Sequence, residues 1–163
     1  MKAAIVMGSK SDFEAVKPAV DILKAFGAEC EVRVISAHRT PEEAHAFAKN
    51  AVKNKIEVII AAAGKAAHLA GVLASCTTLP VVGLPVKSSF QDGLDSLLST
   101  VQMPSGIPVA AVAVGGGENA GLLALRILSV KYPAVRAALK DYAEKMREKT
   151  VADDRFLQES LKK

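Results

Sequence analysis

Short apolar runs separated by longer mixed stretches set the pattern of the whole chain. Residues 3–7, 56–62 and 80–84 are nearly continuous apolar runs, as expected for strands buried on both faces of a parallel sheet. Residues 109–114 form a further apolar run. Residues 30–34 alternate apolar and polar side chains instead, which predicts an edge strand with one face partly in contact with water.

A helical pattern follows each predicted strand. The predicted helices span 13–26, 41 to about 54, 66–75, 93–102, 120–130 and 134 to about 149. This alternation predicts an α/β fold, a three-layer αβα sandwich. Right-handed crossovers favour a flavodoxin-like parallel sheet of five strands in the order 2-1-3-4-5, with a C-terminal helical extension. We expect a single domain over 1–163, with the α/β core at about 1–131 and the extension at about 132–163.

Two of the predicted helices carry very few polar side chains. Within 120–130 only Arg126 and Ser129 are polar, and the helix at 66–75 is small and apolar almost all round. A helix that is apolar on every side needs cover on every side. The sequence therefore predicts an oligomer with helices buried between subunits, and a C-terminal helix that lies across a neighbour.

Composition narrows the possible functions. Among the 163 residues, 50% are hydrophobic but only 4% are aromatic, and the net charge is +4. With few aromatic side chains for base stacking and no basic block, nucleic-acid binding is not expected. No apolar stretch is long enough for a membrane span, and the expected compartment is the cytoplasm. Cys30 and Cys76 are isolated and are expected to be buried thiols without a metal-ligand role.

The hexapeptide at 36–41 carries the strongest chemical signal. Arg39 presents a planar, permanently charged fork suited to a carboxylate or a phosphate, and His38 can gain or lose a proton near neutral pH. Thr40 is expected to be a helix N-cap, with Pro41 at the first helical position. His38 and Arg39 would then lie on a strand-to-helix turn near the positive end of a helix, where an anion can bind.

Three further polar stretches follow predicted strands, at 8–12, 64–68 and 87–89. In a parallel sheet all of them lie at the carboxyl edge, where ligands bind. Residues 8–12 have the character of a phosphate cradle, although neither a Walker A loop nor a dinucleotide fingerprint is present. Asp12 suits a sugar hydroxyl or, alternatively, a helix cap. No nucleophile–His–acid set is recognisable, so the residues indicate proton transfer on a small phosphorylated and carboxylated substrate.

Four motifs together resemble the PurE family. They are Val-Met-Gly-Ser-Lys-Ser-Asp at 6–12, Ser-Ala-His-Arg-Thr-Pro at 36–41, Ala-Ala-His-Leu at 66–69 and the stretch 95–104. They occur in the family's order and spacing, and the resemblance covers the chain from Ala3 to about Val130. The family has a mutase class that acts on N5-carboxyaminoimidazole ribonucleotide and a class that carboxylates aminoimidazole ribonucleotide directly.

The motif at 66–69 is similar to the mutase class, because the direct carboxylases usually carry Arg-Ser-Asn where this chain has Lys65-Ala66-Ala67-His68. Two residues depart from the mutase pattern. Ala70 stands where the mutases usually have Pro, and Lys65 is larger and more basic than is common after Gly64. The direct carboxylases tend to be basic at this point, so direct carboxylation remains an alternative. A more distant alternative is a flavodoxin-like module that binds a phosphoribosyl ligand but catalyses no reaction.

The resemblance implies a role in purine biosynthesis and a set of site residues. His38 would be the catalytic acid/base, and the implied substrate-binding residues are Ser9, Ser11, Asp12, Ser36, Arg39 and His68. The serines and Arg39 would hold the phosphate of a ribonucleotide, Asp12 a ribose hydroxyl, and His68 would line the pocket. The reaction would be an isomerisation: the carboxyl group leaves the exocyclic nitrogen as carbon dioxide and is captured at C4. Family members need no ATP, biotin or metal and are octamers, so we expect no cofactor and a homo-octamer.

Overall fold

The computed structural model describes residues 1–162 and contains one parallel sheet of five strands. The strands are β1 (Lys2–Met7), β2 (Glu29–Val34), β3 (Val58–Ala63), β4 (Val81–Pro85) and β5 (Ala110–Ala111). Their order is β2-β1-β3-β4-β5, and every neighbouring pair is parallel. The predicted fold class and strand order are therefore confirmed.

Helices cover both faces of the sheet. They are α1 (Phe13–Ala25), α2 (Pro41–Asn50), α3 (Leu69–Ala74), α4 (Leu94–Val101), α5 (Gly117–Leu128) and α6 (Pro133–Ser160). Helices α1 and α5 pack on one face, while α2 and α3 pack on the other. Short 3-10 turns at Lys10–Asp12 and Gln91–Gly93 lead into α1 and α4.

Strand β1 shows why the central strands are apolar on both sides. Ala3, Ile5 and Met7 point into the core beneath α1 and α5, whereas Ala4 and Val6 point into the core beneath α2 and α3. Strand β2 lies at the edge and is half-buried or exposed along its whole length. The alternating pattern at 30–34 predicted that edge position correctly.

Helices α1 and α5 pack unusually closely, because two glycines of α5 face α1. A Cβ atom on Gly117 would lie 2.3 Å from the carbonyl oxygen of Ala15. A Cβ atom on Gly121 would lie 2.2 Å from Cγ2 of Ile22. Neither position can hold a larger residue without separating the helices. Both helices begin at the carboxyl edge of the sheet, so this contact fixes the two loops that precede them relative to each other.

Two predicted elements are shorter than expected. Strand β5 covers only two residues of the predicted 109–114, because the chain there follows β4 through isolated bonds from the amides of Val112 and Gly115. Helix α2 ends at Asn50 rather than near 54. The chain turns there, with Lys55 at φ 63° and the Ile56 amide bonded to the Ala51 carbonyl.

Three further corrections concern α3, α5 and α6. Helix α5 spans Gly117–Leu128 rather than 120–130. Helix α3 begins at Leu69 rather than 66, because a tight turn precedes it: Lys65 has a φ of 55° and the His68 amide donates to the Ala66 carbonyl. Helix α6 continues to Ser160, past the predicted end near 149. The sequence contains neither glycine nor proline after Pro133, so nothing stops this helix early.

The start of α6 is attached to the amino-terminal edge of the sheet through Glu57. The hydroxyl of Tyr132 donates to both carboxylate oxygens of Glu57, at 2.9 and 3.0 Å, and Lys131 forms an ion pair with it. Burial would raise the pKa of Glu57, but the hydrogen bonds from Lys131, Tyr132 and the Lys2 amide outweigh it and hold the pKa below its usual value. This contact joins the C-terminal extension to the core.

Helix α5 is better covered within one chain than its composition predicts. Its apolar side chains outside the sheet contact, such as Leu122, Leu123 and Ile127, are half-buried against the core beneath α1. Val130, just after α5, is exposed. Most of the other exposed large apolar side chains lie on α4 and the loop before it and along α6. Within residues 1–162 no helix is long and apolar enough to cross a membrane.

Candidate active site

The loops after β1, β2, β3 and β4 surround one cleft at the carboxyl edge of the sheet. Its volume is about 380 Å³. The predicted site residues that line it are Ser9, Ser11, Asp12, Ser36, His38 and Arg39. The parallel sheet thus brings together side chains that are separated by up to 30 positions in the sequence.

The loop after β1 is ordered by its own side chains. The Asp12 carboxylate accepts a hydrogen bond from the Ser9 amide at 3.1 Å, and the Ser9 hydroxyl accepts one from the Ser11 amide at 3.3 Å. These reciprocal bonds form a capping box at the start of the 3-10 turn. Asp12 therefore acts as a helix cap in this structure, which is one of the two roles that the sequence analysis considered for it. The Ser11 hydroxyl donates to the Ser9 hydroxyl at 2.9 Å, which brings both hydroxyls together at the cleft.

Burial raises the pKa of the Asp12 carboxyl above its usual value. The hydrogen bonds from the Ser9 amide and the Ser11 hydroxyl, and the charge of Arg39, lower the pKa but do not cancel the effect of burial. Ionisation of this carboxyl group therefore costs more free energy here than in water.

Arg39 connects the loop after β2 with the loop after β1. Its Nη2 donates to the Gly8 carbonyl at 2.7 Å, and its Nε donates to the Ser36 hydroxyl at 3.3 Å. The guanidinium group has five N–H donors, so donors remain for a ligand after these two bonds. Its planar fork is thus fixed at the side of the cleft that also holds the hydroxyls of Ser9 and Ser11.

Thr40 occupies the N-cap position of α2, but its side chain does not cap the helix. Its hydroxyl donates to the Ser36 carbonyl and accepts from the Ser36 amide, both at 3.0 Å, and makes no hydrogen bond to the first turn of α2. The predicted capping bond is wrong, whereas Pro41 is the first residue of the helix as predicted. The hydroxyl instead closes the turn that carries His38.

His38 and His68 form a hydrogen-bonded pair. Nε2 of His38 lies 2.9 Å from Nδ1 of His68, and the rings meet edge to face at 85°. One of these two nitrogens must donate and the other must accept, so the pair cannot keep this bond with both rings doubly protonated. His68 is not itself part of the cleft wall and reaches the site through His38.

Lys65, Lys87 and Ser88 also line the cleft, although the sequence analysis did not select them as site residues. Their position directly after β3 and β4 is the signal that could have identified them. Lys87 forms an ion pair with Asp92 at 2.9 Å, and the Ser88 hydroxyl donates to Asp95 at 2.6 Å. Within residues 1–162 no group of three or more His, Cys, Asp or Glu side chains could hold a metal ion.

A model of the AIR carboxylase family matches residues 2–149. The chain belongs to this family. That confirms the family predicted from the four sequence motifs, and the family match ends within α6, which continues to Ser160.

Curated relatives from several organisms have closely similar sequences. The N5-carboxyaminoimidazole ribonucleotide mutase of Saccharolobus solfataricus is 58% identical over 90% of this chain and 92% of its own length. That of Methanocaldococcus jannaschii is 53% identical over 97% of this chain and 98% of its own length. The crystal structure of Treponema denticola PurE has a TM-score of 0.86 with 32% identity, covering 94% of this chain and 96% of that chain. The similarity to this chain thus extends over more than nine-tenths of each of these three proteins.

The raised pKa of Asp12 leads to a prediction about stability. A carboxyl whose pKa is raised in the folded state contributes stability below its ordinary pKa of 3.8, and that contribution is lost as the pH rises through the folded-state value. Asp12→Asn keeps an oxygen that can accept the Ser9 hydrogen bond but has no charge to bury. We expect this variant to gain thermal stability relative to the wild type as the pH rises from about 3.8 towards neutrality, measured as melting temperature against pH.

Asp21→Asn is the matched control, because Asp21 is exposed on α1 and paired with Lys17. The melting temperature of Asp21→Asn should not gain on that of the wild type as the pH rises over this range. A difference in melting temperature between Asp12→Asn and the wild type that is the same at every pH would contradict the raised pKa of Asp12.

Proposed function

We propose that this chain is an N5-carboxyaminoimidazole ribonucleotide mutase of purine biosynthesis, an isomerase that works in the cytoplasm. The observation that carries the proposal is the His38–His68 pair, which presents one oriented imidazole to a cleft equipped to bind an anion. The Ala-Ala-His-Leu motif at 66–69 supplies His68, and relatives with this name are more than half identical to this chain over most of its length.

The substrate phosphate is held on the β1 and β2 side of the cleft. Ser9, Ser11 and Ser36 supply hydroxyl donors there, and the charged fork of Arg39 is fixed next to them. Hydrogen bonds from a charged, planar donor to phosphate oxygens are among the stronger ones in proteins. Asp12 accepts a hydrogen bond from a ribose hydroxyl, which places the imidazole ring of the nucleotide towards the histidine pair.

The reaction moves a carboxyl group within the substrate. The bond between the exocyclic nitrogen and the carboxyl carbon breaks, which releases carbon dioxide in the site and leaves an electron pair on the amine. The ring carbon C4 attacks the carbon dioxide, and the new C–C bond leaves C4 with both a carboxylate and a proton. His38 removes that proton to restore the aromatic ring and returns it to the nitrogen. One imidazole suffices for both proton transfers. The atoms and electrons of the reaction balance without an oxidant or a cofactor.

His68 acts as a positioning residue for His38. Its Nδ1 takes part in a hydrogen bond with Nε2 of His38, so the protonation state of one ring determines the tautomer of the other. A catalytic base must be in the correct tautomer before it can accept a proton at the substrate. This role differs from the prediction that His68 lines the pocket, because His68 is not part of the cleft wall.

Direct carboxylation of aminoimidazole ribonucleotide is the second candidate, and the basic residue Lys65 favours it. Two substrates separate the candidates: N5-carboxyaminoimidazole ribonucleotide without bicarbonate, and aminoimidazole ribonucleotide with bicarbonate but without ATP. We expect rapid conversion of the first and slow conversion of the second, measured as formation of the 4-carboxylated product. The reverse order of rates would identify a direct carboxylase. If neither substrate gave product, the chain would be a ligand-binding module.

Substitution of His38 tests the proton transfer. His38→Asn removes the imidazole but keeps a polar side chain, so we expect ribonucleotide binding to persist and turnover to fall by about 10²- to 10⁴-fold. His45→Asn is the control, because His45 is exposed on α2 and does not line the cleft. It should leave the rate unchanged. A His38→Asn enzyme that turns over at the wild-type rate would remove His38 from the mechanism.

We also propose that the enzyme is a homo-octamer. The support is a set of exposed apolar side chains. Phe90, Leu94, Leu98 and Val101 lie on α4 and just before it, Phe156 and Leu157 lie on α6, and Leu161 follows it. Groups of exposed large apolar side chains are typical of protein interfaces. Sedimentation equilibrium should give a mass eight times the chain mass of 17.1 kDa, whereas a monomer would overturn the assignment.

A further inference from the structure

Lys65 combines a strained backbone with a position in the cleft. It follows β3 directly and has a φ of 55°, in the left-handed region that side chains with a Cβ atom rarely occupy. Glycine adopts this conformation freely. The backbone geometry alone therefore favours glycine at this position, yet the chain carries a long cationic side chain.

The ammonium group of Lys65 differs from the other cations of the cleft. Arg39 is bonded to the Gly8 carbonyl and to Ser36, and Lys87 is paired with Asp92. Among residues 1–162, Nζ of Lys65 has neither a hydrogen bond nor an ion pair, although the backbone oxygen of Lys65 accepts the Ser99 hydroxyl at 3.4 Å. The main chain of Lys65 is thus held in place while its charge is left for a ligand.

Apart from Lys87, which is paired with Asp92, the cleft has cationic groups at two separate places. Arg39 and the hydroxyls of Ser9 and Ser11 lie on the side of β1 and β2, whereas Lys65 lies after β3, three residues before His68. The proposed substrate also has two anionic groups, a phosphate and a carboxylate. With the phosphate on the Arg39 side, the carboxylated end of the nucleotide extends towards the histidine pair and the turn that carries Lys65.

We propose that Lys65 binds the carboxylate of the substrate and determines the preference for carboxylated over uncarboxylated ribonucleotides. This inference rests on the proposed function. The carboxylate is charged in the substrate and in the product, but the released carbon dioxide is neutral. Lys65 therefore stabilises the bound ground states more than the intermediate, so its loss raises KM without lowering kcat.

The test compares variants that keep the backbone conformation. Lys65→Asn removes the charge with a residue that tolerates positive φ, Lys65→Gly does so with a residue that favours it, and Lys65→Arg keeps the charge. Lys55→Asn is the matched control, because Lys55 also has a positive φ, 63°, but lies at the opposite edge of the sheet before β3. Thermal melting shows that each variant is folded.

Calorimetric titration then measures two ligands: the 4-carboxylated aminoimidazole ribonucleotide and aminoimidazole ribonucleotide, which lacks the carboxylate. We expect both neutral variants to bind the carboxylated ligand about ten- to a hundredfold more weakly, the loss of one charge-assisted hydrogen bond. Binding of the uncarboxylated ligand should stay unchanged. Lys65→Arg and Lys55→Asn should bind both ligands nearly as the wild type does.

Two results would overturn the inference. An equal loss of affinity for both ligands would mean that Lys65 contacts the phosphate or supports the loop, and unchanged affinities would mean that it contacts neither. The outcome is independent of the proposed reaction, since binding is measured without turnover. A wild type that binds the carboxylated ligand but converts neither substrate would contradict the mutase assignment and leave the role of Lys65 standing.

Discussion

A single strand direction is the constraint on which the site depends. Because β1 to β5 are all parallel, each loop that follows a strand lies at the same edge of the sheet. The Ser9 loop after β1, the His38 turn after β2 and the Lys65 turn after β3 therefore become neighbours. Two layers of helices hold this edge in place, and α1 and α5 pack so closely that two positions of α5 have no room for a Cβ atom.

Most of the fold could be predicted from the sequence because the central strands are apolar on both faces. A run such as β3 has no other way to bury every side chain, and the alternation in β2 places it at the edge. Element ends were predicted less well, since local hydrogen bonding decides them. The two-residue strand β5 depends on hydrogen bonds that hydrophobic periodicity does not encode. Helix α6 continues to Ser160 because no glycine or proline interrupts it.

The candidate site was predictable in its residues but not in its contacts. Six of the seven predicted side chains line the cleft, because motif position and strand order together determine where a loop lies. The pairing of His38 with His68 joins positions 30 residues apart and depends on ring orientation. The hydroxyl of Thr40 shows the same limit, since capping and turn closure both suit a threonine and only the backbone geometry selects between them.

The capping box at Ser9 and Asp12 has a consequence for the thermodynamics of ligand recognition. The loop is held by bonds among its own residues and is joined to a helix that cannot shift against α5, so it has little conformational entropy left to lose. A ligand that enters meets donors already arranged around it, and nearly all of the interaction free energy with this loop appears as affinity. The tight glycine contact between α1 and α5 thereby contributes to binding as well as to folding.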